Sequence, residues 1–349
     1  MMRKSIGLIA LLMVAMAFVV APASADEVDT AVEIGACENN EPVIKCKWEE
    51  DLSGCLEDGD PSHVEFEPSE RNSWFLPECN KVATPINIYA VVADQDGISD
   101  VDKVYYKVTG PCGKQWGPLC MSPCGGQTEV EAAYAANLTF FATGYDIAEV
   151  RYEFDSCINE IGVYCVPIEI GYCDPAGEYQ VEIWAQDKVG VQSNHLINNF
   201  TMLPLACCQF DFTSLTWNKM VVGDWDIISG DEDMATATRP SVENQGNVAI
   251  KIKVQGAALE DSTGEKFVKD TCGNYYYQYD AKLRDDPGSY ICFWPEEANP
   301  RTLQGFVERC DIEALCFSLK ILSAMDPGVY TGKMTVTCED AKLDPCTYT

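Results

Sequence analysis

Four aspartates stand close together in the stretch AVVADQDGISDVDKVYYKV, which covers residues 90–108. They are Asp94, Asp96, Asp100 and Asp102. Carboxylates are typical calcium ligands, and Asp-x-Asp-Gly resembles the start of an EF-hand loop. The twelfth position of that loop needs a glutamate, but Tyr105 stands there. The sequence therefore predicts either a polar turn between two β-strands or a structural calcium site, and it favours the turn. No other cofactor is expected.

Cysteine is the second residue type that could do chemistry, and all 18 cysteines follow residue 25. They are Cys37, Cys46, Cys55, Cys79, Cys112, Cys120, Cys124, Cys157, Cys165, Cys173, Cys207, Cys208, Cys272, Cys292, Cys310, Cys316, Cys338 and Cys346. An even number in an exported chain predicts structural disulfides. No Cys-x-x-Cys pair occurs, which argues against zinc ribbons and thioredoxin-type sites. Cys207 and Cys208 are adjacent, and we expect each to take a separate partner.

Catalytic patterns are missing from the sequence. Its two histidines, His63 and His195, lie far apart, and neither belongs to an HExxH motif. No GxSxG or GxxxxGK[ST] motif occurs. We therefore expect that the protein is not an enzyme. A glycan-binding module is the alternative, because Trp184 falls on the polar side of its predicted strand, where an exposed ring could stack on a sugar.

Residues 1–25 predict export. A short basic start, an apolar run and the sequence Ala23-Ser24-Ala25 are typical of a cleaved signal peptide, with an uncleaved anchor as the rival interpretation. No later apolar run is long enough to span a membrane. The net charge of −31 excludes nucleic acid as a natural partner. Exported chains carry glycans at Asn-x-Ser/Thr sequons, which predicts modification of Asn137 and Asn199.

The elements that must position these residues are mainly β-strands. Apolar residues alternate with polar ones in residues 179–185, 248–255 and 334–338, which predicts half-buried strands. Residues 128–136 are the best short helix candidate. The predicted fold is all-β, with two tandem antiparallel β-sandwiches of immunoglobulin-like or jelly-roll-like type, rich in disulfides.

The predicted domain boundaries lie at segments rich in turn-forming residues. After the signal peptide, residues 26–82 form an acidic, cysteine-containing segment packed on the first sandwich, which covers residues 83–203. A hinge at 204–208 precedes the second sandwich at 209–349. In both sandwiches an Asp-Pro turn stands ahead of a tyrosine, Tyr179 or Tyr330, and a third copy precedes Tyr290. This order is typical of a tyrosine corner, in which the hydroxyl returns to the backbone.

Four stretches carry a resemblance: AVVADQDGISDVDKVYY, GEYQVEIWAQDKVGVQSN, VIKCKWEEDLSGCLEDGDPSH and SVENQGNVAIKIKV. The first two resemble strands of immunoglobulin-like or cadherin-like domains in exported prokaryotic surface proteins. Together the four resemble secreted cell-envelope and sheath-type proteins of methanogenic archaea. Residues 244–247 and 328–332 also resemble a turn and a strand of strand-exchanging matrix fibres. The resemblance implies an extracellular structural role.

The sequence thus predicts a building block of an archaeal surface layer, sheath or filament. Its expected partners are copies of itself or other envelope proteins, and glycans are a further possibility. Residues 210–222 read as an apolar strand with only two charged residues, Asp211 and Lys219. Such a strand could pair with a neighbouring copy, although pairing inside its own sandwich is the simpler interpretation.

Overall fold

The first sandwich occupies residues 43–202 of the computed structural model, which describes residues 39–51, 74–75, 77, 79, 81–135, 141–142, 147–283, 290–344 and 346. The signal peptide therefore lies outside the described residues. The strands of this sandwich are β1 (Val43–Asp51), β2 (Trp74–Phe75), β3 (Thr84–Ala93), β4 (Val101–Thr109), β5 (Gln115–Cys120), β6 (Ser122–Gly125), β7 (Phe141–Ala142), β8 (Ile161–Ile170), β9 (Gly177–Asp187) and β10 (Leu196–Met202). Its helices are α1 (Gln127–Ala135) and α2 (Ile147–Ser156).

Two five-stranded sheets form this sandwich, in the orders β6-β8-β3-β1-β7 and β2-β10-β9-β4-β5. All pairings are antiparallel except that of β2 with β10. The predicted alternation in β9 is confirmed, because Tyr179, Val181, Ile183 and Ala185 are fully buried between the sheets. Strands β1 and β2 come from the segment before residue 83, so that segment supplies part of the first sandwich.

The aspartate-rich loop does not close a hairpin. Strand β3 pairs with β1 and β8 in one sheet, whereas β4 pairs with β5 and β9 in the other. The loop therefore carries the chain from one sheet to the opposite one. Gly97 adopts a φ of 105°, and Ile98 packs back against the core between the sheets.

A helical layer covers the outer face of the β1 sheet. The predicted helix at 128–136 is confirmed as α1, whereas α2 was not predicted from the sequence. Val130 of α1 and both Val150 and Phe154 of α2 form a small second core with Cys46 and Trp48 of β1. Strand β1 is consequently buried on both faces.

The second sandwich occupies residues 208–340. Its strands are β11 (Cys208–Phe210), β12 (Trp225–Ile228), β13 (Ser241–Asn244), β14 (Ile250–Gly256), β15 (Leu259–Glu260), β16 (Lys266–Phe267), β17 (Tyr277–Leu283), β18 (Ile291–Phe293), β19 (Arg301–Thr302), β20 (Ile312–Ile321) and β21 (Met334–Asp340). One sheet has the order β11-β13-β20-β17-β18, with β12 also paired to β20, and the other has the order β19-β14-β21.

Both sheets contribute to one apolar core. Ile250, Ile252 and Val254 of β14 face buried residues of β17 and β20, such as Tyr277 and Phe317. This confirms the alternation predicted there, and β21 matches the alternation predicted at 334–338. Residues 328–332 do not form the expected strand, because only an isolated bridge joins Thr331 to Glu260. The disulfide-rich, all-β prediction of two antiparallel sandwiches is confirmed.

The two sandwiches belong to one compact unit, residues 40–349. Residues 204–208, where the sequence predicts a hinge, lie along the turn after β13. The Leu205 N–H donates to Asn247 Oδ1 at 2.7 Å, and Asn247 Nδ2 donates to the Leu203 carbonyl at 2.8 Å. Gly246 permits this approach, since a Cβ there would lie 2.1 Å from the Leu205 carbonyl oxygen. Across the described part of the chain, no helix is long and apolar enough to cross a membrane.

Candidate functional site

The four aspartates have different environments. Asp94 is buried, with 1% of its surface exposed, and its Oδ1 accepts a hydrogen bond from the Asp96 N–H at 2.9 Å. Its carbonyl accepts from the Gly97 N–H at 3.0 Å. Asp96 in turn accepts two hydrogen bonds from Asn40, and Asp102 lies 3.6 Å from Lys103 at the surface. These contacts are those of a tight inter-sheet turn.

One feature keeps the calcium hypothesis open. Asp94 Oδ2 is buried and has no hydrogen-bond partner. Burial raises the pKa of Asp94 and outweighs the opposing hydrogen bond from Asp96, while the charges of Asp100, Asp96 and Asp187 raise it further. Among the described residues, no three acidic, histidine or cysteine side chains are grouped so as to hold a metal. Calcium binding therefore stays a prediction.

A cavity of about 420 Å³ borders Asp94. Three further carboxylates line it, those of Glu41, Glu153 and Glu160, against the single ammonium of Lys45. Lys45 Nζ contacts Glu153 Oε1 at 2.8 Å. The excess of negative charge suits a cation better than an anion.

Trp184 does not present an open ring face. Its ring stacks on Tyr105 from the neighbouring strand, with centroids 5.3 Å apart, and on His195 from the other side, at 5.2 Å. His195 Nδ1 also lies 2.8 Å from Glu182 Oε1. A sugar needs an uncovered aromatic face, whereas both faces of Trp184 are covered. The geometry favours a structural role for Trp184 and His195; His63 lies outside the described residues.

Residues 210–222 do not form the predicted continuous strand. Strand β11 ends at Phe210, and the chain then runs irregularly to residue 224. Phe212, Leu215 and Trp217 pack against the core of the second sandwich. Part of their hydrophobic surface is therefore used inside the molecule.

An exposed apolar patch lies just after this segment. We define the β12 patch as Val221, Val222, Trp225 and Ile227, which are 65%, 53%, 56% and 39% exposed. In the described chain, β12 pairs with β20 alone, so its other edge faces outward. The Ile227 N–H donates to Asp226 Oδ1 at 3.0 Å. This combination of an unpaired strand edge and apolar side chains is suited to contact with another protein.

Among the described residues, five cysteine pairs lie at disulfide distance, which confirms the disulfide-rich prediction. They are Cys79–Cys207, Cys112–Cys346, Cys124–Cys165, Cys173–Cys310 and Cys208–Cys338. The adjacent Cys207 and Cys208 take separate partners, as predicted. Disulfides persist in oxidising surroundings, which supports an extracellular location.

Three of these disulfides join the two sandwiches, since each has one cysteine before residue 204 and one after it. The thiols left free within the described residues are those of Cys46, Cys120, Cys157, Cys272, Cys292 and Cys316. Burial, helped by the charge of Glu153, raises the pKa of Cys46 to about 12, so this thiol stays protonated and inert. Cys37 and Cys55 lie outside the described residues.

Only one predicted glycosylation site falls within the described chain. Asn199 is exposed on β10, where its Nδ2 donates to Glu178 Oε1 at 2.8 Å. Asn137 lies outside the described residues. Modification of either asparagine stays a prediction.

A buried polar group between the sheets was not foreseen from the sequence. Lys47 and Glu49 of β1 have fully buried side chains, with Lys47 Nζ 2.7 Å from Glu49 Oε1. Asn198 of β10 contacts both of them. In the sequence, Lys47 and Glu49 alternate with Cys46 and Trp48. This pattern is typical of a strand with one face in solvent, so it did not indicate that the two charges are buried.

No family model matches the chain, and no curated protein matches it. Among solved structures, it is similar to a chaperone–tip adhesin subunit complex of the Csu pili of Acinetobacter baumannii, with TM-score 0.30, 11% identity and coverage of 76% of this chain and 97% of that one. A chaperone–tip adhesin complex of CFA/I fimbriae gives TM-score 0.25, 11% identity and coverage of 78% and 79%. The major pilin subunit BcpA of Bacillus cereus gives TM-score 0.22 and 12% identity, with coverage of 76% of this chain and 66% of that one. Scores this low assign no family.

Proposed function

We propose that the protein is an extracellular structural subunit that assembles with copies of itself through the β12 patch. The finer form of the proposal is a building block of an archaeal surface layer, sheath or filament, which rests on the sequence resemblance. The observation that carries the proposal is the β12 patch, which combines four exposed apolar side chains with an unpaired strand edge. A neighbouring strand could add to this edge through main-chain hydrogen bonds, with the apolar side chains giving further adhesion.

The covalent links between the two sandwiches, which we call the junction, support a role in bearing mechanical force. Three disulfides and the Lys81–Glu243 ion pair, at 2.5 Å, hold the sandwiches together. A force applied to one sandwich would therefore pass to the other through covalent bonds. The strongly acidic composition opposes association at low salt, and counter-ions screen such repulsion.

The test is assembly of the purified chain as sodium chloride or calcium is raised, followed by light scattering and electron microscopy. We expect ordered oligomers or filaments at high ionic strength. The double variant Val222→Lys with Ile227→Lys should remain monomeric under the same conditions, because it places two charges in the contact. Val189→Lys is the matched control, since this valine is 69% exposed on the first sandwich; it should assemble like the unmodified chain.

A monomer at every salt and calcium concentration would contradict the proposal. Assembly of the patch variant equal to that of the control would show that copies meet elsewhere. Immunolabelling of intact cells tests the location separately, and label confined to the cell interior would contradict an envelope role.

A further inference from the structure

Lys47, Glu49 and Asn198 form a buried polar group inside the first sandwich. Lys47 Nζ donates to Oδ1 of Asn198, to Glu49 Oε1 at 2.7 Å and to the Val181 carbonyl at 3.3 Å. Asn198 Nδ2 donates to Glu49 Oε2 at 2.7 Å, so the carboxyl group touches both partners. Lys47 and Glu49 are 0% exposed, and Asn198 is 6% exposed.

The surroundings of this group are apolar. Lys47 lies beside Ala90 and Glu49 beside Ile88 in the β1–β3 pairing. Asn198 lies beside Val181 in the β9–β10 pairing. Separated charges are costly in such a place, and desolvation lowers the pKa of Lys47 against the opposing influence of Glu49. Glu49 Oε1, which is in contact with Lys47 Nζ, is placed to accept its proton, and the neutral amine that this leaves is nucleophilic.

We propose that Lys47 and Asn198 join in an intramolecular amide bond, with Glu49 as the catalytic residue. The lone pair of Lys47 Nζ attacks Cγ of Asn198, while the Glu49 carboxylic acid donates a hydrogen bond to the developing oxyanion. Glu49 then relays a proton from Nζ to Nδ2. The Cγ–Nδ2 bond breaks, ammonia leaves, and Glu49 returns to its starting state. One amide replaces another, so no oxidant or reductant is needed.

The position of the three residues favours this reaction. The amine, the amide and the acid are already in contact, which supplies the proximity that an uncatalysed amide exchange lacks. The product would link β1 to β10 and thus one sheet to the other. Within the described residues no disulfide joins the two sheets of the first sandwich, because Cys124 and Cys165 lie in β6 and β8 of the same sheet.

The test is mass spectrometry of the purified chain after full reduction and alkylation, which removes disulfides from the count. We expect an intact mass lower than the sequence mass by one ammonia. Protease digestion should give a single branched peptide that contains both Lys47 and Asn198. Separate linear peptides with free Lys47 and intact Asn198 would overturn the proposal, as would deamidated Asn198 without a branch.

Variants assign the roles of the residues. Glu49→Gln keeps the size of the side chain but cannot relay the proton, so we expect the branched peptide to be lost. Asn199→Gln is the matched control, because this exposed neighbour lies on the same strand; it should keep the branched peptide. A branched peptide of unchanged yield in Glu49→Gln would overturn the role of Glu49. The result for the unmodified chain decides the bond itself, whether or not each variant folds.

Discussion

The two sandwiches share a fold class but differ in how their sheets are held together. In the second, Cys208 of β11 and Cys338 of β21 lie in different sheets, so a disulfide joins the sheets across an apolar core. In the first, the space between the sheets holds Lys47, Glu49 and Asn198. In the first sandwich a buried polar group thus lies between the sheets, where the second sandwich has a covalent cross-link, and the amide that we propose would supply one.

The sandwiches also differ in which strand surfaces are exposed. Both faces of β1 are covered in the first sandwich, by the opposite sheet and by the helical layer. In the second, the outward edge of β12 carries exposed apolar residues. On our proposals, the first sandwich contributes mechanical strength and the second contributes the contact between copies.

The largest expected effect concerns the junction between the sandwiches. Replacing both Cys173 and Cys310 by alanine removes one of the disulfides that join them. We expect the free energy of unfolding to fall by about 2–5 kcal/mol, as is usual when a native disulfide is lost. Denaturant unfolding followed by fluorescence measures this change. Cys272→Ala, which removes an exposed free thiol, is the control and should alter stability by less than about 0.5 kcal/mol.

Two transitions in the double variant, against one in the control, would show that the sandwiches unfold separately once this link is gone. A double variant as stable as the control would show that the remaining two junction disulfides suffice.

An intermediate effect concerns the tyrosine corners, which the structure confirms in both sandwiches. The Tyr179 hydroxyl donates to the Pro175 carbonyl at 2.8 Å, and the Tyr330 hydroxyl donates to the Asp326 carbonyl. Tyr179→Phe should lower the free energy of unfolding by about 1 kcal/mol, because the bond is buried. Tyr330→Phe should cost less, since water can replace the lost partner at this more exposed site. Equal losses in thermal unfolding would contradict this difference. The turn before Tyr290 lies outside the described residues.

The smallest expected effect is a change in melting temperature in a variant of Asp94, and it tests whether the loop is only a turn or also a calcium site. A raised pKa means that the folded state favours the protonated carboxyl, so the ionised form lowers stability at pH values above the pKa of the unfolded chain. Asp94→Asn keeps Oδ1 and carries no charge. With a chelator at neutral pH, we expect its melting temperature to equal or slightly exceed that of the unmodified chain, and the difference should vanish in acid.

Adding calcium to the unmodified chain and to Asp94→Asn distinguishes the two hypotheses. If the loop is only a turn, calcium leaves both melting temperatures unchanged relative to a magnesium control. A rise in the unmodified chain that is absent in Asp94→Asn would instead establish a calcium site at this loop.

Much of the local structure was determined by the sequence alone. The alternation in β9 and β14 identified both strands and their buried faces, because a side chain on a strand alternates between two faces whatever lies around it. The Asp-Pro turn ahead of a tyrosine identified two corners, since Pro and the turn geometry act within a few residues. Adjacent cysteines indicated two separate disulfides, because a ring between them is strained.

The tertiary structure decided what each face meets. The charges of Lys47 and Glu49 alternate with Cys46 and Trp48 as on a solvent-exposed strand, yet both faces of β1 are buried because a helical layer covers one of them. Strands β3 and β4 resemble a hairpin in sequence but belong to different sheets. Residues 210–222 resemble an adhesive strand but pack on their own core, which leaves the β12 patch exposed. Sequence periodicity fixes how side chains alternate along one strand, whereas burial, pairing and exposure depend on contacts between residues far apart in the chain.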